Sequence, residues 1–306
     1  MKELKSKSPG KLILSGEHAV VYGMPAISIA INYFATTTIT SRSGSNISFN
    51  LKNFHHNLPD KLIQFIVDNF FGCFNLKNKN GLHIKIDSDI LVGCGMGSSA
   101  AVALSIISAL AKHFEIELTK DEYFDLAQMS EKLQHGRPSG VDAYTCLHGG
   151  GVYFQQGAIR SCPINEKLPI FMVNTGKPSV STGECVAEVA GKFSDSQIWC
   201  KFAEVTNALA DLLVTDNVSE IKKLIRANHH LLVEIGVVPQ KTQKFIAEIE
   251  QANAAAKICG AGSIVGDNAG VVLVVVDEII AIKNICERYN FDLVPVKIET
   301  RGLRVV

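Results

Sequence analysis

The segment that most restricts this chain is Gly93-Cys94-Gly95-Met96-Gly97-Ser98-Ser99, where three alternating glycines lead without a breaker into an Ala-, Leu- and Ile-rich stretch ending near His113. Glycine lets backbone bend and approach a ligand closely. A helix beginning at Ser98 adds unpaired N–H groups and the positive end of its dipole. Such a loop is suited to phosphate. Two common phosphate motifs do not fit: a dinucleotide fingerprint wants Gly-x-Gly-x-x-Gly, whereas position 98 is Ser, and a Walker loop wants a Gly-Lys-Ser/Thr that is absent here. A plain strand-to-helix turn is the competing explanation.

The rest of the chain supplies the setting. Its 306 residues suit two packed lobes, and 47% hydrophobic residues against 20% charged give ample core. Lys+Arg (30) equals Asp+Glu (30), so no overall field favours nucleic acid or an anionic membrane, and any anion site must be local. The charged start at residues 1–7 and the lack of a long apolar run argue against a signal peptide or membrane span, making the cytosol the expected location. Cysteines 73, 94, 146, 162, 185, 200, 259 and 286 form no Cys-x-x-Cys pair and read as free thiols.

Ile-, Val- and Thr-rich residues 11–14 and 25–40 predict strands joined by a tight turn near Tyr22-Gly23. Leu62, Phe65, Ile66 and Phe70 have helical spacing after Pro59-Asp60, and Leu82, Ile84 and Ile86 alternate as in a half-buried strand. Thr119 and Glu122 form a capping box for a helix reaching about Gln134, which Gly136 and Pro138 stop. Later periodicity predicts a strand at 168–173, helices at 197–213, 217–235 and 240–253, a strand at 271–276, a helix at 278–289 and a strand at 292–298.

Four side chains could carry chemistry. Glu131 shares a helix face with Ala127 and Phe124, so it points inward and needs a cation. Magnesium held with Ser98 or Ser99 would serve, as would a Lys or Arg. Asp142 ends a small, rigid segment from His135 to Val141 and reads either as a general base or as a turn-former. Lys11 begins a short strand whose far turn carries Glu17 and His18; a lysine there is ordinarily a surface residue.

Taken together, Pro-Gly-Lys-x-Ile-Leu-x-Gly-Glu-His-Ala-Val-Val-Tyr-Gly (9–23), Gly-x-Gly-x-Gly-Ser-Ser-Ala-Ala (93–101) and His-Gly-x-Pro-Ser-Gly-Val-Asp (135–142) resemble, in order and spacing, the GHMP kinases. Thr175-Gly176 with Ser181-Thr182, Asn228-His229 and Lys257-x-x-Gly260-Ala261-Gly262 extend the resemblance over most of the chain. Departures are Val92 for the usual Pro, Asn174 for Asp, Ala143 for Asn, and Ser-Ile-Val-Gly-Asp-Asn-Ala-Gly at 263–270 where the family usually has a run of glycines and a Cys.

The resemblance implies an α+β, two-lobed GHMP kinase fold. A ribosomal protein S5 domain 2-like nucleotide-binding lobe would span 1–165, and a ferredoxin-like α/β lobe 166–306. It implies ATP as co-substrate, bound by Gly93, Cys94, Gly95, Met96, Gly97, Ser98, Ser99 and Ala100, and Mg2+ held by Ser99 and Glu131. Asp142 would be the base and Lys11 its cationic partner, with Glu17, His18, Gly140, Asp142, Gly260 and Ala261 around a small-molecule acceptor. Segment 9–23 most resembles the members of the family that act on mevalonate, since galactokinases usually carry Arg at the Lys11 position and phosphomevalonate kinases usually lack the His at 18; the resemblance implies the 5-hydroxyl of mevalonate as acceptor, with phosphomevalonate, the acceptor of another GHMP kinase, as the runner-up. Arg137 and Lys177 are candidates for its carboxylate. A non-catalytic nucleotide sensor and a serine hydrolase pairing Ser98 with His135 are the rivals from other classes. A homodimer is the default assembly.

Overall fold

The computed structural model describes residues 4–44, 46–52, 60–76, 81–135 and 138–306. Gly136, Arg137 and the side chain of His135 lie outside them, so the Arg137 and Ser98–His135 proposals are not addressed by the described residues.

The first half builds one twisted sheet. β1 (Leu4–Ser15) pairs antiparallel with β2 (Ala26–Arg42), which pairs with β4 (Gly81–Ser88); β3 (Ile47–Lys52) adds parallel to β4. Between β1 and β2 a short 3-10 turn, Ala19–Tyr22, closes on Gly23 at φ 77°. β5 (Gly151–Gln155) joins β2 and pairs with β6 (Ala158–Ser161), and the short β11 (Arg304–Val305) returns to the outer edge of β1.

Helix α2 (Ser98–His113) is the centre of this half. Apolar residues all round it predict burial rather than an amphipathic surface helix, and Ala100 through Ala111 are buried without interruption. Two of its polar side chains are paired with the sheet: Ser105 with Thr37 at 2.7 Å and Ser108 with Ser6 at 3.0 Å. α1 (Asp60–Cys73), α3 (Lys120–His135) and α4 (Val141–His148) pack around it. Glu122 accepts from the Thr119 N–H at 2.7 Å, and the Glu122 N–H donates to Thr119 Oγ1 at 3.3 Å, forming the expected capping box.

The second half holds a four-stranded antiparallel sheet in the order β10-β7-β9-β8, from β7 (Ile170–Asn174), β8 (Ala255–Ile258), β9 (Val271–Val275) and β10 (Leu293–Pro295). In chain order this is 4-1-3-2, the ferredoxin-like arrangement. Four helices separate β7 from β8: α5 (Thr182–Phe193), α6 (Ile198–Leu212), α7 (Val218–Glu234) and α8 (Gln240–Gln251); α9 (Ile279–Arg288) links β9 to β10. The predicted strand at 292–298 shortens to three residues. Beyond it, Val296 still donates its N–H to Ile170 O, while Asn32 donates to Lys297 O, so the chain passes from one sheet to the other there.

Candidate active site

Lys11 is brought inside by an irregularity. Ser6 and Ser8 face the helices, through Ser108 and the Cys146 carbonyl, so regular alternation would send Lys11 to the opposite face. Between Pro9 and Gly10 the register with β2 slips, Pro9 facing Phe34 but Gly10 facing Ile31. The slip reverses the side-chain parity. Lys11 consequently reaches Asp142 on α4 at 3.0 Å, with its side chain only 3% exposed against 33% for the carboxylate. Burial by itself draws the Lys11 pKa down, but the charge of Asp142 and its hydrogen bond outweigh it, and the ammonium is held above its ordinary range. Asp142 stays open to an incoming molecule on its solvent side.

Asp142 is not in the turn expected from sequence. Gly140, at φ 91°, starts a helix, and Asp142 occupies its first turn, where the dipole favours a carboxylate. Val141, Ala143, Cys146 and Leu147 all bury against the core, enough to fix two turns after a glycine that reads as a breaker.

The glycine loop lies against Lys11. The Lys11 N–H donates to Met96 O at 2.9 Å, and a β-carbon at Gly97 would stand 2.9 Å from Lys11 Cγ. At the middle of the loop, a β-carbon at Gly95 would come within 2.2 Å of the Cys259 carbonyl, so the chain leaving β8 of the second sheet presses directly on the loop. Ser98 Oγ at the head of α2 is buried without a partner. Ser99 Oγ donates to Glu131 Oε1 at 2.5 Å. Burial, and then the charge of Asp142, push the Glu131 carboxyl up to about 7, against the opposing hydrogen bond of Ser99 and charge of Lys11. Lys11, Asp142, Glu131 and Ser99 therefore form one electrostatic cluster at the start of α2.

Glu17 and His18 lie on the second-lobe side. Glu17 is fully buried and ion-paired with the buried Lys257, whose ammonium also donates to Ile13 O at 3.0 Å. Its other oxygen, Oε2, has no partner. His18 Nε2 is 2.9 Å from Ala261 O, and its Nδ1 is likewise buried and unpartnered. Burial lowers the His18 pKa, keeping the ring neutral. Tyr22 stacks on Trp199 of α6 at 4.1 Å, so the turn carrying these residues is anchored across the lobes.

No three or more His, Cys, Asp or Glu residues gather into a metal cluster among the described residues. The Ser99–Glu131 pair suits a hard cation that brings most of its own oxygen ligands.

The GHMP kinases N terminal domain matches residues 57–150. A mevalonate kinase of Archaeoglobus fulgidus is 33% identical over 260 residues, covering 84% of this chain and 88% of its own length. One from Thermococcus sibiricus is 31% identical over 289 residues, covering 84% and 86%. The chain belongs to the mevalonate kinase branch of the GHMP kinases. The crystal structure of Methanococcus jannaschii mevalonate kinase has the same fold, with a TM-score of 0.85, 26% identity and coverage of 97% of this chain and 98% of that one.

In this GHMP kinase the atypical 263–270 stretch belongs to the scaffold of the loop. The Val271 N–H donates to Cys94 O at 3.0 Å, the Gly270 N–H to Gly176 O at 2.9 Å and the Thr175 N–H to Gly270 O at 2.9 Å. Sequence reasoning could not see this three-way tie, because its members are separated by some 80 to 180 positions. Nor did it see that Lys257 neutralises Glu17, although the motif containing Lys257 was visible.

Proposed function

We propose that the chain transfers the γ-phosphate of ATP to the 5-hydroxyl of mevalonate. The observation that carries this reading is the Lys11–Asp142 pair, 3.0 Å apart, at the leading end of α2 beside Ser99 and Glu131. The N–H groups of α2's first turn and the orphaned Ser98 Oγ receive phosphate oxygens. Mg2+, when bound, would be held by Ser99 and Glu131 and would neutralise charge between the β- and γ-phosphates. Asp142 accepts the proton of the acceptor hydroxyl. Lys11 stays charged, favours the alkoxide and offsets charge on the transferred group.

Glu17 Oε2, His18 Nδ1, Gly140, Gly260 and Ala261 would face the acceptor, the two unpartnered polar atoms offering hydrogen bonds to its hydroxyls. A phosphorylated acceptor would need more cations. Lys5 and Lys7 do not provide them: the register slip leaves both on the other face of β1, where Lys7 sits over the Phe34 ring at 4.3 Å. No helix among the described residues is long and apolar enough to cross a membrane, and we place this reaction of water-soluble anions in the cytosol.

The test is ADP release with ATP and Mg2+ on mevalonate, phosphomevalonate, homoserine and galactose in parallel. Mevalonate should give the highest kcat/KM. Faster turnover of another acceptor reassigns the substrate, and ATP binding without turnover of any of them favours the sensor.

A further inference from the structure

The three glycines of the loop meet three different neighbours. Gly97 abuts Lys11 and Gly95 abuts Cys259, both already placed in the site. Gly93 abuts Lys177: a β-carbon there would stand 3.1 Å from Lys177 Cε, 3.7 Å from Cδ and 3.8 Å from Cγ. The aliphatic stem of a lysine from the second lobe thus lies across the first residue of the loop.

Its head group is unspent. Among the described residues the Lys177 ammonium has no carboxylate and no hydrogen-bond partner. Its charge does reach the loop: burial raises the Cys94 thiol to about 11, and Lys177 is the group that opposes that rise. The backbone that delivers it is tied down on both sides. The Asn174 side chain accepts from the Gly176 N–H at 3.0 Å, Asn268 Nδ2 donates to Lys177 O at 3.4 Å, and the 268–271 stretch that holds Lys177 is itself bonded to Cys94 O. Gly176 sits at φ 98°, where a side chain would be strained, and the Asn268 amide packs into the space a β-carbon would take, 2.7 Å from Nδ2. A flexible, exposed lysine is ordinarily just solvated; here its stem lies against Gly93 and its carbonyl is bonded to Asn268.

We infer that Lys177 is a nucleotide-side residue of this enzyme, closing the Gly93 end of the loop over the polyphosphate as Lys11 closes the Gly97 end. The inference rests on the loop being a polyphosphate cradle. It replaces the expectation that Lys177 serves the acceptor carboxylate, because the acceptor-side atoms of Glu17, His18 and Ala261 cluster with Lys257, beyond the Gly95 contact, whereas Lys177 meets the other end of the loop. A compact ammonium on a long stem suits polyphosphate oxygens as a point charge without demanding one geometry. The strap of residues 174–177 and 268–271, which includes the departures at Asn174 and at 268–270, is then the device that positions it.

The experiment is calorimetric titration of the whole protein with ATP and with AMP, in the wild type, Lys177→Met and Lys177→Arg. Met keeps the stem over Gly93 and removes the charge. The wild type should bind ATP more tightly than AMP, and equal affinities would sink the cradle itself. Lys177→Met should weaken ATP about tenfold, the lower end for a charge-assisted contact because the lysine is exposed. AMP should stay within about twofold, Lys177→Arg should restore ATP binding, and the KM for mevalonate should not move. ATP affinity unchanged in Lys177→Met, with wild-type ATP preference intact, would overturn the inference and spare the cradle; so would a loss confined to the mevalonate KM.

Discussion

Replacing Glu131 by Gln should make the ligand-free protein more stable at pH 8 while impairing its use of Mg2+. Gln keeps the shape and the acceptor for Ser99 Oγ, and removes only the ionisable group. In the folded protein the Glu131 carboxyl is raised from an ordinary 4.5 to about 7, first by burial and then by the Asp142 charge. Below pH 4.5 both folded and unfolded chains hold the proton, and Glu131 costs nothing. Between 4.5 and 7 the unfolded chain releases its proton and the folded chain does not, so folding stability falls as pH rises, and above 7 the loss is complete. At roughly 1.36 kcal/mol per pH unit the full loss is about 3 kcal/mol, of which about 2.5 kcal/mol should develop between pH 5 and pH 8. Urea denaturation of both proteins at these two pH values, without nucleotide or metal, measures it. The stability difference should grow with pH in favour of the variant. A pH-independent difference, or a variant less stable than the wild type at pH 8, would refute the argument. With ATP present, the variant should need more Mg2+, and the wild-type Mg2+ requirement should itself rise as pH falls through about 7.

Asp142→Asn should fold, because the side chain keeps its volume on a partly exposed helix turn, yet lose turnover by about 10²–10⁴-fold with ATP binding retained; most of the activity surviving in a steady-state assay would reassign the base. Lys257→Met leaves Glu17 buried without its cation and should lower stability by about 3–5 kcal/mol in urea titration. Adding Glu17→Gln to that variant should return part of the loss, and no recovery would show that the pair is not what Lys257 supports.

What could be read beforehand was local. The loop before α2, the inward direction of Glu131 from its spacing to Ala127 and Phe124, and the capping box at Thr119 are written within a few residues each, and the structure shows Glu131 2% exposed and bonded to Ser99. The inversion of Lys11 was not readable. It depends on a slip against β2, and the same residues in a regular strand would leave the lysine outside. α4 was hidden by the Gly and Pro before it, since its eight residues hold only through tertiary burial. β5 and β6 were also missed, and β8 appeared only as the start of a glycine motif, because four or five residues show too little periodicity; the twelve-residue α5 was missed as well. The environment of Lys177 was invisible for a different reason: an exposed lysine carries no signal of its own, and only the missing β-carbon at Gly93 reveals it.

The burial of Lys257 against Glu17 and Ile13 also bears on how reactants come and go. Swinging the two sheets apart like jaws would strip an ammonium and a carboxylate of each other inside an apolar interior, a penalty of several kcal/mol before any water arrives. Traffic is then left to the rim, where the partly exposed residues 175–181 join β7 to α5. A cross-link tying lobe to lobe should therefore leave turnover largely unchanged.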